Sequence, residues 1–250
     1  MRLALAAALL VVTAPGALGA ELHPTLVITL HVKPADRPAL RRQLETRQVA
    51  RLAAWRKQGV LVSYHLLFTR HADSASWDAM ELLGFADAAM QARWNAIERN
   101  SPAGLDGPAL KLVKSIESTP GDALRTKAGP TPGNHPAYLV VPYQPLVSAS
   151  EYMTYIDGYT LPQFDGWIHE NVLDGYELHY ARYPAARAWQ SLILLRYRDD
   201  AALEAREATT AKVRAQLAVN PTWKAFSDNK KGIRIEGVVA LADELAEGGL

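Results

Sequence analysis

The 250 residues carry 27 basic and 26 acidic side chains, a formal net charge of +1, and a 49% hydrophobic fraction. That balance, with no long run of either sign, excludes the concentrated basic footprint that nucleic-acid binding requires. The absence of cysteine excludes disulfides, thiolate metal sites and a lipid-modified N-terminal cysteine.

Residues 1–20 read as an export signal. Arg2 precedes an unbroken apolar run from Leu3 to Val12, and Pro15 and Gly16 break it before the small residues Ala17, Gly19 and Ala20. The run is too short for an ordinary membrane-spanning helix, and no later segment is apolar and long enough to cross a bilayer. The expectation is a periplasmic or secreted protein whose mature part, of about 230 residues, can bury a full core.

The first unit, residues 21–117, opens with the β-branched stretch Thr25 to Val32, which reads as a strand. Pro38 to Lys57 follows as a helix, with Leu40, Leu44, Leu52 and Trp55 at helical spacing and Gly59 as its stop. Val60 to Arg70 and Trp77 to Phe85 are two further strands. Asp87 caps a second helix running to about Asn100, and Leu110 to Glu117 supplies a last short strand.

Residues 118–136 are rich in Pro, Gly, Thr and Asn and read as a linker. The second unit, residues 137–242, repeats the order: strands at Tyr138 to Tyr143, Leu173 to Arg182 and Trp189 to Tyr197, and a helix beginning at Asp199. Pro162 is expected to break its first helix. The closing strands correspond through Ile116-Glu117 and Ile235-Glu236, and the tail 243–250 is expected to fray.

The order is not the only thing repeated. A shift of 112 places superimposes Trp55, Val60, Leu61, Tyr64, Leu66, Arg70, Trp77, Leu82, Leu83, Asp87 and Ala89 on identical residues from Trp167 to Ala201 without a gap. Eleven identities over this stretch stand against roughly two expected from residue frequencies. An internal duplication sets the architecture: an α+β protein of two tandem ferredoxin-like β-α-β-β-α-β repeats. Two such units in one chain, each with a Trp-started third strand and an acidic cap on the next helix, resemble the dimeric α+β barrel superfamily in its fused form. The resemblance implies two four-stranded sheets that face each other around a ligand-holding lumen, forming a single-chain α+β barrel. Members of that superfamily include cofactor-free monooxygenases, isomerases, cyclases, haem peroxidases and chlorite-degrading enzymes, so fold narrows function little.

Alternation along each strand separates the helix-covered face from the lumen face. In the second strands, Val62, Tyr64, Leu66 and Phe68, matched by Tyr176, Leu178 and Tyr180, form the apolar set. The opposite set is polar: Ser63, His65, Leu67 and Thr69, matched by Gly175, Glu177, His179 and Ala181. His65, Glu177 and His179 therefore point into the lumen. His31 joins them from the first strand, with Tyr143 as its shifted counterpart. Trp77 and Glu81 are assigned to the lumen because a carboxylate under the helices would be costly, and Trp189 is placed there as the partner of Trp77.

Imidazoles beside carboxylates bring both groups toward pKa values useful for proton transfer, and Trp and Tyr walls suit a flat ligand. His65, Glu177, His31 and His179 are the candidate catalytic residues; Tyr143, Trp77, Glu81 and Trp189 are the candidate ligand-binding ones. The sequence requires no cofactor. Two histidines and two carboxylates could hold a metal ion, although no HExxH spacing is present, and the resemblance implies haem with an axial histidine as another occupant. The expected partner is a small apolar or aromatic molecule, and a homo-oligomer is compatible with the sequence. The rival reading is a non-catalytic interaction or stress protein whose lumen is filled by side chains. Trp55 and Trp167 read as core, the Arg41, Arg42, Arg47 and Arg51 stretch as a solvated helix face, and Arg70 and Arg182 as ion-pair partners of Asp87 or Asp199.

Overall fold

A computed structural model of the chain describes residues 23–130 and 132–249; the stretch read as an export signal lies outside them. The first repeat runs β1 (His23–Val32), α1 (Arg37–Gln43), a π turn (Leu44–Gln48), α2 (Val49–Lys57), β2 (Ser63–Thr69), β3 (Ala79–Gly84), α3 (Ala88–Glu98), α4 (Gly107–Leu110) and β4 (Val113–Ala128). The second runs β5 (Ala137–Pro145), α5 (Ala149–Tyr155), a π turn (Ile156–Thr160), α6 (Leu161–His169), β6 (Leu173–Ala181), β7 (Ser191–Tyr197), α7 (Asp200–Glu204), α8 (Arg206–Leu217), α9 (Pro221–Ile233), β8 (Arg234–Glu236) and β9 (Ala240–Gly248). Eight strands close on themselves in the order β7-β6-β4-β1-β3-β2-β9-β5, all neighbours antiparallel, with β5 returning to β7 and the short β8 added to β5. Closure removes every free edge of the barrel.

The capping chemistry is that of the sequence. Asp87 accepts from the Met90 N–H at 2.7 Å and Asp199 from the Ala202 N–H at 2.8 Å, so both third-strand exits feed capped helices. The π turns stand 112 residues apart. The Val49 N–H bonds the Leu44 carbonyl and the Leu161 N–H bonds the Ile156 carbonyl, five residues back in each case. Pro162 follows the second turn, but Ala50 occupies its place in the first repeat. The wide turn therefore belongs to the repeat rather than to the proline.

Two expectations are overturned. The stretch expected to be a linker is strand β4 as far as Ala128: it pairs with β1 over Val113–Ala123 and with β6 of the other repeat over Gly121–Ala128. Pro120, Gly121 and Asp122 have poor intrinsic β-propensity, but ladder partners on both sides override it. Gly121 stands where the three strands meet, and a Cβ there would come within 2.7 Å of the Tyr180 carbonyl oxygen. The tail expected to fray is strand β9, paired with β5 over Ala240–Asp243 and with β2 over Ala242–Gly248. Its charged pattern reflects one face turned to a polar lumen.

Each repeat thus lends the end of its last strand to the other. These last strands correspond at a shift of 121, not through Ile116 and Ile235, because the second repeat contains the longer α8–α9 segment. Arg70 and Arg182 confirm the shift. Arg70 pairs with Asp243 at 2.7 Å and Arg182 with Asp122 at 2.6 Å, residues 121 apart, instead of with the helix caps Asp87 or Asp199. Both ion pairs cross from one repeat to the other.

Apolar side chains fill three zones. One lies between the first sheet and α1–α3, where Leu26, Ile28 and Leu30 of β1 meet Leu40, Leu52, Leu66 and Trp94. Another lies between the second sheet and its helices, around Tyr152, Tyr155, Phe164, Trp167 and Trp223. The third is inside the barrel: Val27, Leu67, Met80, Leu82, Val140, Leu192 and Leu194 form an apolar waist.

Candidate functional site

The waist divides the lumen into two chambers. One is a cavity of about 250 Å³ lined by His65, Tyr138, Asp174, Glu177, Leu194 and Arg196, among others. The other, of about 380 Å³, is lined by His31, Trp77, Glu117, Trp189 and apolar waist residues.

His65 on β2 and Glu177 on β6, equivalent places in the two repeats, meet across the lumen: His65 Nε2 lies 2.7 Å from Glu177 Oε1. The other Glu177 oxygen lies 2.9 Å from His179 Nε2, and His65 Nδ1 lies 3.3 Å from Glu244 on β9. Tyr138 donates to Glu244 at 2.8 Å. Arg196 on β7 lies 3.2 Å from Asp174 and 2.9 Å from Glu247. The result is a continuous chain of side chains, imidazole–carboxylate–imidazole at one end and phenol, carboxylates and guanidinium at the other.

Burial alone would depress the His65 imidazole, but Glu177 and Glu244 outweigh it and raise its pKa to about 10. Burial would raise Glu177; the two imidazoles overcome it and hold the carboxyl well below the usual range. Glu244 is lowered likewise, against burial, by hydrogen bonds from His65 and Tyr138. Glu247 is raised by burial and by Glu244 beside it, and Tyr138 by burial and the same carboxylate. At neutral pH, His65 is an imidazolium clasped by two carboxylates. Glu177 accepts from His179 at Nε2, and the other ring nitrogen of His179, Nδ1, is buried without a partner.

The chambers sort the sequence-derived residues. His65, Glu177 and His179 come together at the polar chamber, which His65 and Glu177 line and His179 backs through Glu177. His31, Trp77 and Trp189 line the other, where His31 is 29% exposed and 3.9 Å from Glu117. Two assignments fail. Tyr143 faces the helices, its hydroxyl donating to Glu236 at 3.0 Å, because the first strands correspond at a shift of 113 rather than 112. Val27 and Val140 occupy equivalent barrel positions, each opposite an equivalent leucine. A one-residue offset moves every side chain to the opposite face. The lumen phenol is therefore Tyr138. Glu81 also lies under the helices, fully buried, accepting from the Gln48 side chain at 2.9 Å. Its burial cost is real and appears as a pKa raised by desolvation to about 8; the carboxyl is tolerated there by staying protonated.

Sequence reasoning did not find Tyr138, Arg196, Glu244, Glu247 or Asp174. Arg196 carried a signal, since it alternates with the lumen leucines Leu192 and Leu194. Glu244 and Glu247 were hidden by the reading of the tail as frayed.

The fold is two ferredoxin-like repeats closed into one eight-stranded antiparallel α+β barrel. Among solved structures, the chain is similar to a candidate monooxygenase from Lactobacillus acidophilus NCFM (11% identity, TM-score 0.57, covering 92% of this chain and 97% of that one). It is also similar to a mutant chlorite dismutase from Candidatus Nitrospira defluvii (11%, 0.52, 89% and 91%) and to a haem-binding protein from Thermus thermophilus (10%, 0.51, 89% and 91%). At these identities the likeness concerns fold alone. No protein-family model and no curated protein matches the sequence.

The lumen does not fit haem. His65 has both ring nitrogens engaged by carboxylates, and His179 has its Nε2 engaged. The packed waist leaves two chambers, each too small for a tetrapyrrole. One ligand atom each from His65, Glu244 and Glu247 lies within 4.8 Å of the others. A metal ion held there would first have to displace the tightly held His65 proton. Among the described residues, no helix is long and apolar enough to cross a membrane.

Proposed function

We propose that the chain is an exported protein that binds a small molecule in the polar chamber of its barrel. The observation that carries this reading is the His65–Glu177 pair, charged and almost dry, in the wall of a cavity. Burying such a pair seldom gains stability over apolar residues of like volume, so its retention beside an open cavity supports a role in recognition. The cavity's size sets the ligand: an apolar cavity of about 150 Å³ admits benzene, so about 250 Å³ suits one ring with a few substituents. Leu194 receives the apolar part. Tyr138 and Arg196 face the polar part and, with the charge of His65, whose ring nitrogens stay on Glu177 and Glu244, favour an oxyanion such as a phenolate, enolate or carboxylate.

Cofactor-independent acid–base chemistry is the second reading, favoured by the unpartnered Nδ1 of His179. His179 does not line the cavity, so its part would be to move a proton through Glu177, while His65 stabilises the substrate anion from the cavity wall. Monooxygenase-, isomerase- and cyclase-type reactions that start from a stabilised carbanion or phenolate would be served by this arrangement.

Native mass spectrometry of the mature protein from its own host identifies the ligand. Calorimetric titration with single-ring phenols and benzoates then tests the site. His65→Leu and the double variant His65→Leu/Glu177→Leu should weaken binding at least about tenfold while keeping the circular-dichroism spectrum. Binding at wild-type strength in both variants would remove these residues from the site.

A further inference from the structure

On the outer side of the second sheet, between α8, α9 and β8, lies a recess of about 230 Å³ lined by Tyr143, Tyr159, Arg214, Lys230, Lys231, Arg234 and Glu236. Four cations face one carboxylate, and that carboxylate already accepts from the Tyr143 hydroxyl. Among the described residues, none of the four cations lies within 4 Å of a carboxylate oxygen, whereas seven other arginines of the chain do. The Arg234 guanidinium lies 3.8 Å from the Tyr143 ring centre and 5.2 Å from that of Tyr155, and its Nη1 is buried without a hydrogen-bond partner. The hydroxyl of Tyr159, a residue 1% exposed that lines the recess, is also buried and unpartnered. Arg214 is held by its Nε on the buried Gln163 side chain at 2.8 Å, which orients the rest of its guanidinium.

The fold does not require this charge. The shift of 121 that relates the last strands places Arg234 on Val113, and both pair with the last residue of their repeat's first strand, Pro145 or Val32. The first repeat thus closes the same corner with an apolar side chain. The lysines come from α9, part of the segment that makes the second repeat longer.

We infer that this recess binds a tetrahedral oxyanion, phosphate or sulfate, free or as the terminal group of a small ester. Arginine forks match such oxygens two at a time, and lysines add charge without fixed geometry. A buried guanidinium without a counter-ion and a buried phenol without an acceptor gain both from one anion. The recess is separate from the lumen, so the inference does not rest on the ligand proposed there.

Calorimetric titration of the mature protein with inorganic phosphate, sulfate, phenyl phosphate and acetate, at constant ionic strength, tests it. Saturable one-to-one binding of phosphate or sulfate is expected, with acetate at least about tenfold weaker. Arg234→Val, which installs the first repeat's residue, should weaken phosphate at least about tenfold. Lys230→Gln/Lys231→Gln, at a half-buried and an exposed position, should weaken it less and reduce its salt dependence. Tighter binding of phenyl phosphate would identify an ester as the ligand, and equal binding the free ion. Absence of saturable phosphate or sulfate binding, acetate binding equal to phosphate, or unchanged affinity in both variants would overturn the assignment.

Discussion

Glu177 has two imidazoles as its partners and little water, so its ionised form depends on them. Glu177→Gln leaves the His65 charge leaning on Glu244 alone, and the expected loss is on the order of 3–5 kcal/mol in urea unfolding. His65→Leu/Glu177→Leu removes both charges and should cost markedly less than the single change. A double variant as damaged as Glu177→Gln would contradict this. The pH dependence follows from the directions of the shifts. His65 is raised to about 10, so its contribution is complete below its unfolded value near 6.5 and is lost as pH climbs through 10. Glu177 is lowered, so its contribution is complete above about 4.5 and fades as pH falls. Glu81 works in the opposite sense from a stabilising carboxylate. Protonated in the fold up to about pH 8 and ionised when unfolded above about 4.5, it removes stability progressively between those values. Glu81→Gln keeps a hydrogen-bonding side chain beside Gln48 without a proton to lose. It should therefore match wild type at pH 4 and exceed it by a few kcal/mol at pH 8.5. Equal pH profiles for the two proteins would show that Glu81 is ionised in the fold.

At the level of elements, legibility followed how local the cause was. The second strands separated into lumen and helix faces from alternation alone, because Tyr64, Leu66 and Phe68 face the helices while His65 and Leu67 do not. Caps at Asp87 and Asp199 were equally local. The third strands misled, since both faces of Ala79–Gly84 are buried, and protonation lets the carboxyl at 81 sit under the helices at a cost the fold bears. The last strands were illegible for a different reason. β4 and β9 owe their pairing to strands of the other repeat, a relation absent from any window of sequence. Deletion of residues 244–250 tests how much this exchange contributes. It strips the ladder from β2 between Tyr64 and Leu67 and removes Glu244 and Glu247, the carboxylate partners of His65 and Arg196. Amide exchange along Ser63–Leu67 should accelerate by at least about a hundredfold, and the thermal midpoint should fall by more than about 10 °C. Unchanged exchange would mean that β2 is held by β3 alone.

For the whole molecule, strand exchange and charge together say why the duplication is fused. The first repeat alone, residues 23–128, ends in a β4 segment whose partner, β6, would be missing. A second copy offers its β2 in the same geometry, as the second repeat's β9 pairs with β2 here. The isolated repeat should therefore assemble as a twofold dimer rather than persist as a monomer. Twofold closure of a single sequence sets each lumen residue against itself. His65, which meets Glu177 at 2.7 Å in the tandem chain, would then meet His65 of the other copy. Two imidazoles in that place repel when both are charged, so the dimer should tighten as pH rises through about 6.5, opposite to the His65 term in the tandem protein. Divergence of one position into histidine and its repeat into glutamate converts that repulsion into attraction, which only a covalent or otherwise heterotypic pairing of repeats can use. Sedimentation equilibrium of residues 23–128 at pH 5.5 and 8.0 measures the effect, with His65→Leu as the control that should abolish the difference. A monomer at both values, or a dimer indifferent to pH in which His65→Leu changes nothing, would show that the two halves need not meet through this pair.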